Sequence, residues 1–220
     1  MMKPEASASP QSTMYAARVK PLLDFGAAAT LLVMLLPVMA IVAAAVWLAL
    51  GRPILYRETR AGLGGRPIRI AKFRSMRDAA DPDGNPLPDG DRLGGFGRFL
   101  RRTSLDELPQ LFSVLRGDMS LVGPRPLPMR YVERYSPRQA TRLTVRPGLT
   151  GWAQIHGRNA LDWPRRLEYD AEYVEMLGRG TAPLADLWIV GASVIQIVWQ
   201  SVTGRGVSAP GVATMQEFAP

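Results

Sequence analysis

The sequence predicts an α+β chain that is mostly helical: an N-terminal re-entrant membrane helix bent at Pro37, a small β-hairpin, and a helical domain with interfacial amphipathic helices. Three observations carry this. Phe25–Gly51 runs for 27 residues without a charge and holds Pro37 near its centre. Two short extended runs, Ile54–Tyr56 and Pro67–Phe73, flank Gly62, Gly64 and Gly65. Beyond Phe96 apolar residues recur at helical spacing, and a second uncharged stretch of 18 residues covers Leu187–Gly204. The expected organisation is a mobile arm (1–20), a helix-break-helix membrane segment (21–51), a domain carrying the chemistry (52–182), an interfacial helix (183–204) and an irregular tail (205–220).

Composition narrows the chemistry. A chain of 220 residues holds one domain with a core. Cysteine is absent, which removes thiolate and disulfide chemistry, and His156 is the only histidine. A His-rich metal centre or a Ser-His-Asp triad is therefore disfavoured, and carboxylates, Lys and Arg are left to carry any catalysis. The net charge of +8 favours anionic partners: nucleic acid, anionic headgroups or phosphorylated substrates.

The arm is rich in Ser, Ala and Pro. A cleavable signal peptide fits poorly, because the apolar run starts late and is long. At about 1.5 Å per residue that run is long enough to cross a hydrocarbon core of ~30 Å. Pro37 removes a backbone hydrogen bond in its middle, so a bend is expected there. Lys3, Arg18 and Lys20 precede the run; Arg52, Arg57, Arg60, Arg66 and Arg69 follow it. Positive charge on both sides leaves two topologies open, a span and a helix that enters one leaflet, bends at Pro37 and returns. Trp47 suits the headgroup zone.

The two extended runs form a hairpin, with the three glycines as turn residues; a phosphate loop would need a strand-to-helix context that is missing. Lys72, Arg74 and Arg77 leave the second strand as a basic cluster, either a solvated or lipid-facing face or a phosphate cradle. Asp78–Asp91, with five Asp, three Pro and two Gly, is a surface loop. It lacks the bidentate Glu of a calcium loop.

Phe96–Leu100 is expected to form a short helix that ends near Arg102. A second is expected over Leu105–Leu115, with Leu105, Leu108, Leu111, Phe112 and Leu115 on one face, Pro109 in its first turns and Gly117 as C-cap. Asp106 and Glu107 open it, Arg101 and Arg102 precede it, and Arg125 follows between Pro124 and Pro126. Two interpretations compete. Ser104 and Glu107 match a capping box, which would make the acids structural. Alternatively, acids at the positive end of a helix and ringed by arginines make a place where phosphates, a metal ion and a nucleophile meet.

Tyr131–Leu143 is expected to be helical and broken at Pro137. Val145–Asn159 is an ordered loop whose Arg146, Gln154, Arg158 and Asn159 offer hydrogen bonds to a nucleobase, ribose or sugar; His156 belongs to its packing. Asp162–Leu177 is an amphipathic helix, and Asp170 is the acid on it to test. Leu187–Gly204 is expected to lie in the interface, anchored by Trp188 and Trp199.

Four blocks then stand out in order: Lys72-Phe-Arg-Ser-Met, Gly97–Leu111, Gly117–Pro126 and Arg146–Asn159. With these the chain resembles the monotopic phosphoglycosyl transferases, bacterial sugar transferases that begin glycan assembly on a polyprenyl phosphate, over about residues 20–205. The resemblance implies that Asp106 attacks the β-phosphate of a UDP-sugar, that UMP leaves, and that polyprenyl (undecaprenyl) phosphate then attacks the aspartyl phosphosugar. It implies Mg²⁺ held by Asp106 and Glu107, and substrate contacts from Lys72, Arg74, Arg101, Arg125, Arg146, Gln154, Arg158 and Asp170. It also implies the re-entrant form of the Pro37 helix, inserted in one leaflet on the cytoplasmic face of the inner membrane among its lipids. No nucleic-acid partner is expected, since no stacking-aromatic or helix-turn-helix signature accompanies the charge; a homo-oligomer stays open. Leu36 stands where a small polar residue is frequent in the family, and His156 where an asparagine is common. The alternative is a non-catalytic membrane-anchored scaffold for anionic partners.

Overall fold

The computed structural model describes residues 13–85, 87–157, 161–204 and 217–218. The expectations for the arm 1–12, for Arg158 and Asn159, and for the tail residues 205–216 and 219–220 lie outside the described residues.

A π-helical turn, Tyr15–Val19, runs into helix α1, Lys20–Leu50. Helical structure thus begins inside the segment expected as an arm. The reason is tertiary: the Tyr15 hydroxyl donates to Asp186 at 2.6 Å and the Thr13 hydroxyl to the Leu177 carbonyl at 3.1 Å. Pro37 lies within α1, and the helix continues through it, so the expected helix-break-helix is one continuous helix. One proline removes one backbone donor, at a cost of about 3 kcal/mol. A stripe of Ala28, Leu32, Met39, Val42 and Val46, buried along the helix against Ile70, Phe73, Leu100, Leu111, Val114 and Met119, offsets that cost.

Strands β1 (Leu55–Ala61) and β2 (Pro67–Phe73) form the expected antiparallel hairpin, with Tyr56 opposite Lys72 and Glu58 opposite Ile70. Helices α2 (Asp89–Arg92) and α3 (Gly95–Arg102) follow. The helix expected over Leu105–Leu115 divides into a 3₁₀ segment, Leu105–Gln110, and a short α4, Leu111–Leu115. Strand β3 (Ser120–Val122) comes next, then a 3₁₀ segment Met129–Arg134 and α5 (Pro137–Ala140), which a Ser136–Gln139 capping box starts. The loop expected over Val145–Asn159 contains strand β4 (Gly148–Thr150) and helix α6 (Trp152–Ile155). Strands β3 and β4 pair in parallel, Ser120 with Gly148 and Val122 with Thr150. A Cβ at Gly148 would sit 2.1 Å from the Gly123 nitrogen, so only glycine permits this approach. Helix α7 (Trp163–Arg179) has Asp162 as its N-cap, and α8 (Ala182–Thr203) closes the fold.

Helices α1 and α8 are the two described helices long and apolar enough to cross a membrane. Each buries one stripe and exposes another: Leu22, Val33, Met34, Ile41 and Leu48 on α1, and Leu184, Leu187, Trp188, Ile195 and Val202 on α8. Exposed apolar area on this scale marks a surface for a membrane or a protein partner. Both ends of α1 touch the same domain. Near its start Lys20 pairs with Asp186 of α8 at 2.7 Å, and Asp24 accepts from the Ser120 hydroxyl at 2.6 Å and from the Leu121 N–H at 3.2 Å. At its end the Arg74 guanidinium donates to the carbonyls of Leu50 and Arg52. The Tyr173 hydroxyl adds a bond to Asp186 at 2.6 Å.

Because Lys20 and Asp186 are buried together, removing one charge strands the other. Lys20→Met is expected to cost about 3 kcal/mol, and Lys20→Met with Asp186→Asn, which removes the stranded charge but keeps an acceptor for the Tyr15 and Tyr173 hydroxyls, to recover part of it, as read by thermal or denaturant unfolding in detergent.

Candidate active site

The 3₁₀ segment Leu105–Gln110 departs from the capping interpretation in two ways. Ser104 occupies the left-handed region at φ 55°, ψ 16°, and its hydroxyl caps nothing. The Glu107 side chain turns away from the chain start, and only its backbone N–H contacts the Ser104 carbonyl, at 3.1 Å. Pro109, with no N–H to give, favours the tighter turn. The capping box is therefore absent, and both carboxylates are released to a cavity of about 590 Å³.

Glu107 is clamped. Lys72, from the end of β2, reaches one carboxylate oxygen at 3.0 Å; Arg125 reaches the same oxygen at 2.5 Å and the other at 3.4 Å. Burial alone would raise this carboxyl's pKa, but Arg125 and then Lys72 overcome it and hold the group well below the usual carboxylate range. Arg125 is raised in turn, first by Glu107. Asp106 is different. It is 7 % exposed and makes no hydrogen bond or ion pair with the described residues. Burial, and next the Glu107 charge, push its pKa up to about 6 against the pull of Lys72, Arg101 and Arg125. The two adjacent acids thus divide: one anchors the cations, and the other faces the cavity unpartnered.

Lys72, Arg74, Arg101, Arg125, Gln154 and Asp170, all singled out from the sequence, line this cavity with the two acids. They do different things there. Arg101 donates to the Ser75 hydroxyl at 3.0 Å. Arg74 is committed to the end of α1 and to Asp78, so it clasps helix to hairpin. Asp170 forms a buried pair with Arg142 at 2.9 Å, and Arg142 also donates to the Arg125 carbonyl at 2.6 Å. Asp170 therefore supports the Arg125 loop from behind, with its carboxyl raised by burial against the pull of Arg142 and Arg166. Gln154 is 5 % exposed, and neither amide atom has a partner among the described residues. Arg146 is not part of the cavity wall; its carbonyl packs against Gly123.

Sequence reasoning missed Glu58, Arg60, Gln110, Arg130, Tyr131 and Arg166, which also line the cavity. Strand alternation could have found Glu58 and Arg60, since they share the hairpin face of Lys72. Arg166 lies one helical turn before Asp170, and burial lowers its pKa to about 10. Gln110 belongs to the same wall, and its buried Nε2 has no partner among the described residues.

Mg²⁺ prefers oxygen ligands and is commonly held by one or two carboxylates together with substrate phosphates. Asp106 fits that role. Both Glu107 oxygens are occupied by cations, and Glu58 is paired with Arg60 at 2.6 Å, so a second carboxylate ligand would have to leave its partner.

The chain is similar to several known proteins. The chain is 48 % identical over 157 residues to the uncharacterized sugar transferase EpsL of Bacillus subtilis, covering 71 % of this chain and 78 % of that protein. It is 48 % identical over 143 residues to the UDP-glucose:undecaprenyl-phosphate glucose-1-phosphate transferase of Caulobacter vibrioides, covering 63 % of this chain and 54 % of that one. It is 42 % identical over 142 residues to the undecaprenyl-phosphate galactose phosphotransferase of Salmonella typhimurium, covering 57 % and 30 %. The chain thus spans about half the length, or less, of the last two. The bacterial sugar transferase family model matches residues 15–200, from the turn that leads into α1 to the last turn of α8, with every residue that lines the cavity inside the match, and the chain belongs to that family.

Proposed function

We propose that this chain transfers a phosphosugar from a UDP-sugar to a membrane polyprenyl phosphate, giving polyprenyl-diphosphate-sugar and UMP. One observation carries this above the rest: a buried, unpartnered Asp106 beside a Glu107 that is locked between Lys72 and Arg125. An Asp106 carboxylate oxygen attacks the β-phosphorus; the bond from that phosphorus to the oxygen bridging it to the α-phosphorus breaks, and UMP departs with the bonding pair. A phosphate oxygen of the polyprenyl phosphate then attacks the same phosphorus, and the Asp106 carboxylate is released unchanged. Splitting the displacement into two steps is what a carboxylate nucleophile offers. Arg125, Lys72 and Arg101 lower the repulsion between carboxylate and diphosphate. Arg125 is preorganised for this by Glu107 in front and by Arg142 on its carbonyl. Gln154 and Gln110 lie in the cavity wall with buried amide atoms that have no partner among the described residues, and a shift of either side chain on binding would offer them to the uncharged parts of the donor. Asp106 would be the residue to hold Mg²⁺, which would supply further charge neutralisation.

The relatives' names include glucose, galactose and N-acetylgalactosamine, which supports a UDP-hexose or UDP-N-acetylhexosamine as the donor. A polyprenyl acceptor fits a cavity carried on a domain whose α1 and α8 present apolar faces outward. Contact of both ends of α1 with one domain supports insertion into a single, cytoplasmic leaflet. A scaffold that uses Ser104 and Glu107 only as a cap loses its basis, because that cap is not formed.

Three results test this. Membranes given UDP-hexose, polyprenyl phosphate and Mg²⁺ should release UMP, and Asp106→Asn should lower that rate by at least about 10³-fold; full turnover in that variant would end the covalent assignment. In chelator-containing buffer, the same variant should be more stable than the parent in a pH-dependent way. The folded-state pKa of Asp106 lies above its unfolded value, so the parent loses stability as pH rises from about 4 to about 6. The advantage of Asp106→Asn should be near zero at pH 4 and reach about 2–3 kcal/mol above pH 7 in thermal melts. Finally, Met14→Cys and Arg57→Cys, in a chain with no native cysteine, should both resist an impermeant maleimide in intact cells and both react after lysis; a spanning helix would expose one of them.

A further inference from the structure

At the cavity rim the chain's own C-terminal residues occupy a socket. Phe218 is 3 % exposed and packs with Leu127, Tyr131 and Leu167. Its ring meets three aromatic rings: Tyr131 at 5.6 Å, Trp163 at 5.3 Å and Tyr135 at 5.9 Å. Its backbone is read as well, the N–H donating to the Tyr131 hydroxyl at 3.2 Å and the carbonyl accepting from Arg134 at 2.6 Å. Glu217 accepts from Arg130 at 2.9 Å and from Arg134 at 3.3 Å, and both guanidinium groups also lie over the Tyr131 ring. An acidic residue followed by an aromatic one is thus held by charge, by ring packing and by two backbone bonds, which is the pattern of specific peptide recognition.

The socket is continuous with the candidate active site. Arg130, Tyr131 and Trp163 line the cavity, and Leu127, under the Phe218 ring, is two residues from Arg125. We propose that Tyr131, Tyr135 and Trp163 with Arg130 and Arg134 form a binding site for an acidic–aromatic peptide, that its resident ligand is Glu217–Phe218 of this chain, and that occupancy holds the wall from Arg125 to Tyr131 in its donor-binding position. Undocking uncovers the aromatic wall, releases two arginines at the rim and loosens Leu127. The binding rests on the socket alone; the kinetic consequence rests on the function proposed above.

The test separates the two. In nanodiscs, a chain ended after Gly204 is titrated with a labelled peptide of the sequence 215–220, Met-Gln-Glu-Phe-Ala-Pro, and with the same peptide carrying Phe218→Ala. Saturable anisotropy for the first, at least about tenfold weaker for the second, is expected. Equal affinity, or no binding of either peptide, overturns the site whatever the enzyme does. In the UMP-release assay the shortened chain, and full-length Phe218→Ala as a second variant, should show a donor KM raised about three- to tenfold with kcat changed less than twofold. Peptide at about 1 mM, the effective concentration a short tether supplies, should restore KM in the shortened chain. Peptide binding with KM unmoved in both variants overturns the coupling to the donor; failure of UMP release in the parent chain counts against the proposed reaction and leaves the binding result to decide the socket.

Discussion

Two neighbouring carboxylates in a buried cavity repel each other, and the fold resolves that repulsion unequally. Away from bulk water that repulsion is little screened, and together with burial it raises the Asp106 carboxyl. Glu107 receives both cations within reach, Lys72 and Arg125, and stays ionised; Asp106 receives no direct partner among the described residues and takes up a proton more readily. A clamp of this kind does more than stabilise. It holds a lysine from a hairpin and an arginine from a proline-bounded loop at fixed positions, and it leaves one carboxylate aimed at open space.

The three parts of the clamp come from distant segments, so their meeting depends on the packing below them. The α1 stripe lies under β2, the 3₁₀ segment and α4, and brings Lys72 and Glu107 together. The Arg125 loop hangs from β3, and β3 is fixed from the membrane side: Asp24 of α1 binds Ser120 and Leu121, and Tyr173 bonds to the Val122 carbonyl at 3.2 Å. Behind the loop the buried Arg142–Asp170 pair holds the Arg125 carbonyl. The polar network that seats the long apolar helix α1 is therefore the one that holds the strand leading to Arg125. The depth of the cavity relative to the apolar faces of α1 and α8 is set by hydrogen bonds rather than by tether length. This matters for the proposed reaction, in which one substrate arrives from water and the other from the bilayer.

Much of this was legible in the chain. A long uncharged run, glycines between two extended segments and apolar residues at helical spacing gave the element types, because backbone and burial preferences act over a few residues. Asp106, Glu107, Lys72 and Arg125 stood out as acids and cations clustered around one helix start, which a cap explains equally well, and the resemblance carried by the four blocks is what singled them out as a site. What the sequence left open was the capping box: Ser104 and Glu107 match it locally, and only two cations from elsewhere in the fold draw Glu107 away from it. The break at Pro37 failed for a related reason, since a local loss of one hydrogen bond was outweighed by packing along the whole helix. Arg74 and Asp170 had the right chemical character, but their partners, the end of α1 and Arg142, turn them to support. The parallel pairing of β3 with β4 and the return of Phe218 to the cavity rim join residues far apart in sequence. Local pattern fixes which side chains are available and what charge they carry; long-range contacts decide which carboxylate is held and which is left free, because that depends on distances no sequence spacing contains.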